Sequence, residues 1–280
     1  MALQHFTAGR LPWGRRFFLL LLCAACIQAP AQTVQHPPAA AKVSVEGSSL
    51  RVEYASGATL RGPQLAGKEI DIGQAGAPLR LRIDAVLADQ GRPGIWLHEI
   101  SALGADGSWQ NVCSPDADGK RLAVALAGYT RADGSFVADP ARMSIACTSG
   151  AQGKCLRFGY HYWTSGPKGE SLLPQFQACL RMVRADYCGD GRSFTRNGVT
   201  IDLYDDAGVQ FPEKNNSMPF EAGWSPQGAV CLHHPRVAAN LRLDELGKQC
   251  PRLAAVSGEQ CSEAWARSEG KAVLFNRSQP

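Results

Sequence analysis

The sequence predicts an α+β fold, mainly β. Its N-terminal half reads as an antiparallel β-sandwich or barrel. Its C-terminal half reads as a disulfide-stapled unit with one main helix packed on β-hairpins. Three observations carry this. Short apolar–polar alternations broken by Gly, Pro and Asp fill residues 43–146, the spacing 172–187 follows one helical face, and eight cysteines lie between Cys113 and Cys261.

The first residues precede any fold. Arg10, Arg15 and Arg16 lead into an unbroken apolar run from Phe17 to Ile27, followed by Ala29-Pro30-Ala31. This is the order of an export signal ending in a small-x-small cleavage site, so residues 1–31 read as a signal peptide and Gln32 as the mature start. The run is shorter than the roughly 20 residues a membrane-spanning helix needs, and no later segment is longer. Arg15-Arg16-Phe17-Phe18-Leu19 also matches a twin-arginine core, although the strongly apolar stretch and the many cysteines favour the general export route. Cys26 would be the anchor of a lipoprotein, but Cys23 stands three places before it where leucine is normal. Residues 32–42, QTVQHPPAAAK, lack periodicity and read as a flexible leader.

Between 43 and 140 the segments VSVEG, SLRVEYA, KEIDIG, LRLRIDAVL, IWLHEISAL, SWQNVC and RLAVALAGY read as strands, with MSIAC just beyond. In LRLRIDAV the period of two breaks after Asp84, which predicts a bulge. IWLHEIS is apolar on both faces, so His98 is expected as a packed, hydrogen-bonded side chain rather than a catalyst.

Residues 141–280 form the second predicted unit. AQGKCLRFGYHYW (151–163) is expected as a strand paired with MSIAC across Thr148-Ser149-Gly150. Leu172, Leu173, Phe176, Leu180, Val183 and Tyr187 then mark one helical face, with Ser171 as N-cap, Pro174 in the first turn and a left-handed cap at Gly189. Asn197-Gly198 predicts a hairpin between SFT and TIDLYD. Apolar pieces VQF, GAVCLHH and AVLFN follow, with helical turns near 244–248 and 262–267.

An even set of eight cysteines (Cys113, Cys147, Cys155, Cys179, Cys188, Cys231, Cys250, Cys261) implies a disulfide framework in an oxidising compartment. No paired C-x2-C spacing for zinc occurs in the chain after residue 31, and Cys231-Leu232-His233-His234 is the nearest approach to a ligand cluster. Cys179 and Cys188 stand about 13 Å apart along a helix, too far to bond each other. The geometrically simplest scheme links them to Cys147 and Cys155, closes Cys250 to Cys261, and joins Cys113 to Cys231.

Charge narrows the partners. Residues 1–31 hold three arginines and no acid, which leaves 26 basic against 25 acidic residues thereafter, of both signs interspersed. Phosphate-backbone binding needs clustered cations, so nucleic acid is not an expected partner. No nucleophile elbow, phosphate-binding glycine loop, H-E-x-x-H or Rossmann fingerprint occurs, and Asp116-Ala117-Asp118-Gly119 reads as an Asp-Gly turn rather than a calcium loop. No cofactor or metal is expected.

The densest run of chemistry is RADYCGDGRSFTRNGVTIDLYD. One reading makes Asp186 and Asp190 a carboxylate pair of a hydrolase acting on glycan or cell-wall polymer, with His161, His233 or His234 as base and Tyr187 or Arg184 stabilising charge. The preferred reading is structural: Asp190-Gly191 is a turn, Asp186 bonds local N–H groups or Arg184, and Tyr187 packs beneath the hairpin. Asp186, Tyr187, Asp190, His161, His233 and Arg184 are also the candidate residues for binding.

This run resembles the signature of the ADYC-domain proteins, named for the tetrad that here is Ala185-Asp186-Tyr187-Cys188. The resemblance extends upstream to CLRFGYHYW and QACLRMVR, and downstream to FEAGWSPQGAVCLHHPR and LFNRS, over roughly residues 141–277. It implies an extracytoplasmic bacterial protein and supplies no catalytic residue. The expectation is therefore an exported envelope protein, periplasmic or secreted, that acts as a binding or structural module for an envelope component or small ligand.

Overall fold

The computed structural model describes residues 40–74 and 77–280. The predicted signal, most of the predicted leader, and Cys23 and Cys26 lie outside the described residues. Strand β1 (Ala40–Glu46) begins three residues before the expected onset of order at Val43. It pairs with β2 (Ser49–Tyr54), which pairs with β3 (Thr59–Arg61), in a small antiparallel sheet. In β2 the alternation works as written: Leu50, Val52 and Tyr54 are buried and the residues between them are not.

The second sheet is built from β4 (Lys68–Gln74), β5 (Ala77–Ala88), β6 (Trp96–Leu103), β8 (Ala123–Thr130) and β9 (Phe136–Cys147), in the order β4-β5-β6-β8-β9, with β7 (Trp109–Asn111) on β6. Pairing between β5 and β6 shifts between Ile83 and Ala85, which is the bulge expected at Asp84. One face of this sheet packs on the small sheet through Leu81, Ile83, Ile100, Ala123 and Ala125. Its other face packs Leu97, Leu122, Val124 and Leu126 against the helices. Apolar side chains on both faces of β6 are what the pattern of IWLHEIS predicted, and β8 shares the arrangement.

Helix α1 (Ala151–Arg157) stands where a strand was expected. Cys155 and Leu156 face inward while Lys154 and Arg157 do not, a helical distribution that seven residues are too few to announce. Gly153 permits the close approach, since a Cβ there would lie 2.4 Å from the Cys147 carbonyl oxygen. The Tyr160 and Tyr162 alternation comes instead from turns after the helix. Tyr160 Oη donates to Asp205 at 2.7 Å and Tyr162 Oη to the Ala127 carbonyl at 3.0 Å.

Helix α2 (Leu173–Arg184) is the predicted main helix. Ser171 Oγ accepts from the Leu173 N–H at 3.3 Å, one residue ahead of the N-cap Leu172, and Pro174 lies in the first turn. It ends earlier than expected, at Ala185, whose φ of 50° makes the left-handed cap. One flank of α2 meets the second sheet, with the Phe136 and Phe176 rings 5.3 Å apart. The other meets a third sheet of β10 (Ile201–Asp205), β11 (Phe220–Ser225), β12 (Gly228–Leu232) and β13 (Leu274–Ser278), ordered β10-β13-β11-β12.

The expected Asn197-Gly198 hairpin is only a turn. Phe194 is buried beside Tyr187 and its N–H bonds the Arg184 carbonyl, so the SFT segment has no ladder partner. Strand β10 pairs instead with β13, and VQF is a loop held by Asp205, whose carboxylate accepts from the N–H groups of Gly208, Val209 and Gln210. The two predicted helical turns are α3 (Leu243–Gln249) and α4 (Glu263–Ser268), the latter capped by Ser262 Oγ.

The disulfides are Cys113–Cys147, Cys155–Cys179, Cys188–Cys250 and Cys231–Cys261. Cys179 and Cys188 do not bond each other, and Cys155–Cys179 staples α2 to the preceding element as expected. The remaining pairings correct the simplest scheme. Cys113 lies beside the end of β9, and α3 brings Cys250 to the loop after α2, where Arg192 also bonds the Gln249 carbonyl.

Candidate functional site

The tetrad after α2 is where sequence chemistry is densest, and each of its residues has a structural task. Ala185 reverses the chain and Cys188 bonds Cys250. Asp186 is completely enclosed. Its carboxylate pairs with Arg181 at 2.6 Å and accepts from the N–H groups of Gly189, Asp190 and Gly191 at 2.9, 3.2 and 2.9 Å. A carboxylate near a helix C-terminus meets an unfavourable dipole, and Arg181, rather than the expected Arg184, is the cation that compensates. Gly189 lets the loop close: its φ is 76° and a Cβ would sit 1.8 Å from the Gln227 carbonyl oxygen.

Tyr187 is equally enclosed, its ring stacked on Trp224 and Phe194. Its hydroxyl joins a buried polar group around Glu221. Arg236 meets the Glu221 carboxylate with two bonds of 2.9 Å, Asn276 Nδ2 donates to it at 2.7 Å, and Trp224 Nε1 donates to Asn276 Oδ1 at 2.7 Å. Burial, then the neighbouring Glu221 charge, hold the Tyr187 hydroxyl protonated far above its usual range. No fully buried polar side-chain atom of Tyr187, Glu221, Trp224, Arg236 or Asn276 lacks a partner, the condition under which a buried polar group rigidifies a core.

The other predicted residues are dispersed. Asp190 is exposed and paired with Arg192; burial alone would raise its carboxyl, but the Arg192 bonds and charge hold it below the usual range. Arg184 donates to the Gly191 carbonyl. His161 stacks on Trp163, and burial lowers its pKa. His233 Nδ1 lies 3.1 Å from the carbonyls of both Gly258 and Cys261, and His234 Nδ1 lies 3.3 Å from that of Pro235. Asp186 and Asp190 thus face opposite environments, and no histidine bonds either of them. Among the described residues no group of three or more His, Cys, Asp or Glu is placed to hold a metal ion, and no helix is long and apolar enough to cross a membrane.

A different region is open. Beside the cluster that packs on α1 and α2, Leu87 at the end of β5 is exposed while Leu97 and Leu122 are nearly covered. There a groove of about 900 Å³ runs over Leu87, Leu97 and Leu122, between the turn at Asp89–Gly91 and the loop Asp116–Arg121. Arg157, at the end of α1, closes it. Arg157 Nε donates to Asp89 Oδ2 at 2.8 Å and its Nη1 lies 3.9 Å from Asp116 Oδ2. Asp116 also accepts from Thr148 Oγ1 at 2.8 Å and from the N–H groups of Asp118 and Lys120. Burial pushes its carboxyl up, but these bonds outweigh it and the group ionises below its usual range. Arg121 Nη1 donates to the Cys113 carbonyl at 2.8 Å, which ties the loop to the Cys113–Cys147 bond.

A family model for the ADYC domain matches residues 62–238, more than half of the chain. The chain belongs to the ADYC-domain family. No curated protein and no solved structure matched it. The ADYC match begins well upstream of the 141–277 span read from the motifs and ends before it, so it takes in the second sheet and the groove together with the tetrad. Within the ADYC domain the named tetrad is a structural knot. The groove went unread because its residues come from four separate segments; the one local signal was the bulge at Asp84, which turns Val86 inward and leaves Leu87 49 % exposed.

Proposed function

We propose that this ADYC protein is an exported bacterial envelope protein that acts as a binding module, with its ligand seat in the groove closed by Arg157. The observation that carries the reading is the contrast between two regions. The tetrad is enclosed and internally satisfied, whereas the groove is open, joins an apolar floor to preplaced charged groups, and has a volume in the range of small-molecule sites. Four disulfides support the export half of the reading, because such bonds persist in oxidising compartments.

A hydrolase built on Asp186 and Asp190 finds little support, since a substrate reaches Asp186 only if the loop over it opens and the Arg181 pair breaks. Two measurements test the proposal. Fractionation with N-terminal sequencing is expected to find a chain starting at Gln32 outside the cytoplasm; an unprocessed cytoplasmic chain overturns export. Native mass spectrometry of the oxidised protein incubated with an envelope small-molecule extract is expected to show a bound species that Leu87→Gln loses. Turnover of cell-wall or glycan polymer by the wild type, with no such species, overturns the binding reading.

A further inference from the structure

The charges around the groove are unequally used. Asp89 and Asp116 are both pinned: Asp89 accepts from the Gly91 N–H at 3.0 Å and from Arg157, and Asp116 from Thr148 and its own loop. Neither carboxylate is free to receive a cationic ligand. The cations differ. Lys120 and Arg121 on the groove, and Arg92 and Lys154 on an adjoining recess of about 340 Å³ that shares Asp89 and Arg157, have no carboxylate within ion-pair distance among the described residues. Arg92 bonds the Arg157 and Gly91 carbonyls and Arg121 the Cys113 carbonyl, but the Lys120 and Lys154 ammonium groups have no hydrogen-bond partner among the described residues. Against these four stands one acid without a cation, Glu99 on the groove wall.

An unpaired cation beside a concave surface attracts charge of the opposite sign, most strongly where low-dielectric walls focus the field. The floor adds a second requirement, because Leu87, Leu97 and Leu122 gain nothing from a small hydrated ion. Arg157 is also preplaced. Its Nε is committed to Asp89 and its backbone carbonyl accepts from Arg92 Nε, so both guanidinium and helix end are fixed before a ligand arrives.

Resting on the groove as the ligand seat, we propose that the ADYC groove takes an organic anion with an apolar body, its carboxylate, sulfonate or phosphate toward Lys120, Lys154 and Arg157 and its apolar part on Leu87 and Leu97.

Two fluorescent probes that share one skeleton test this on the oxidised full-length chain: anilinonaphthalene sulfonate, and phenylnaphthylamine, which lacks the sulfonate. The sulfonate is expected to bind saturably, one per chain and more tightly than the neutral probe. The double variant Lys120→Gln/Lys154→Gln should weaken the sulfonate roughly tenfold and leave the neutral probe unchanged. Leu87→Gln should weaken both. All three side chains are solvent-accessible and without ion pairs, so circular dichroism of the variants should match the wild type. If the sulfonate does not bind saturably, or the lysine variant leaves it unchanged while Leu87→Gln weakens both probes, the anion assignment is wrong and the groove reading survives only in the second case. If both probes bind and Leu87→Gln affects neither, the groove itself is not the seat.

Discussion

The Tyr187 hydroxyl donates to Glu221 Oε1 at 3.0 Å and accepts from the backbone N–H of Arg236 at 2.9 Å, and neither Tyr187 nor Glu221 exposes any surface. Removing one oxygen atom therefore strands two groups at once. Tyr187→Phe keeps the stacking on Trp224 but leaves a buried carboxylate short of a donor and a buried N–H without an acceptor. The expected loss is about 2 to 3 kcal/mol, read as a lower urea midpoint with an unchanged m-value. A loss below about 0.5 kcal/mol would mean that the hydroxyl is not part of the scaffold.

His98 gives the fold a pH dependence of known sign. It is completely buried on β6, and neither ring nitrogen has a protein hydrogen-bond partner, contrary to the hydrogen-bonded histidine expected from sequence. Burial lowers its pKa from 6.5 to about 4, outweighing the nearby Ala123 backbone, which raises it without meeting hydrogen-bond geometry. The unfolded chain therefore takes up the proton first. Stability from this residue is complete above pH 6.5 and is lost as pH falls toward 4, by about 3 kcal/mol in all. The difference between wild-type and His98→Leu stability curves isolates the effect, and a flat difference between pH 4 and 6.5 would contradict it.

Gly189 should tolerate no side chain. With φ at 76° and a Cβ only 1.8 Å from the Gln227 oxygen, Gly189→Ala must push the tetrad loop off the β11–β12 turn. A loss above about 2 kcal/mol is expected, accompanied by faster hydrogen exchange at the amides of Asp190 and Gly191, which bond Asp186. Asn197-Gly198 offers the comparison: Gly198 has a similar φ of 85° but no neighbour near its Cβ direction, so Gly198→Ala should cost about 1 kcal/mol.

Cys188–Cys250 spans 62 residues, the longest separation of the four bonds, against 24 for Cys155–Cys179. A chain-entropy argument gives it about 4 kcal/mol of stabilisation. Replacing both cysteines by serine should lower the thermal midpoint more than replacing Cys155 and Cys179 does. Peptide mapping without reductant should recover the four observed pairs, and a Cys250–Cys261 peptide would contradict the structure.

The elements legible in the sequence are those whose signal is local. Strands such as β2, β6 and β8 announce themselves because they bury one or both faces, and α2 because about three turns suffice to show a stripe, whereas β3 and the first half of β9, which bury little, were not read. What stayed hidden is relational. Helix α1 is too short for its stripe to outweigh the Tyr160–Tyr162 alternation. The FEAGWS strand β11 was not read, since its neighbours come from residues 228–232 and 274–278. Cysteine count gave the presence of a framework, but pairing depends on where α3 lies, which no spacing encodes. For the site, the tetrad was visible as chemistry and Asp186 was rightly suspected of holding its own loop, while the groove assembles residues without any motif.

Strand β13 lies between β10 and β11, so the last strand of the chain occupies the interior of its sheet, and Asn276 on it completes the coordination of Glu221. Order of synthesis and order of assembly are thereby opposed. A chain emerging from its N-terminus can close the first two sheets early, but β10 and β11 have no common neighbour, and Glu221 and Trp224 no amide between them, until residues 274–278 arrive. The third sheet must wait for residues 274–278, and loss of that one segment would undo contacts made by residues fifty or more positions earlier.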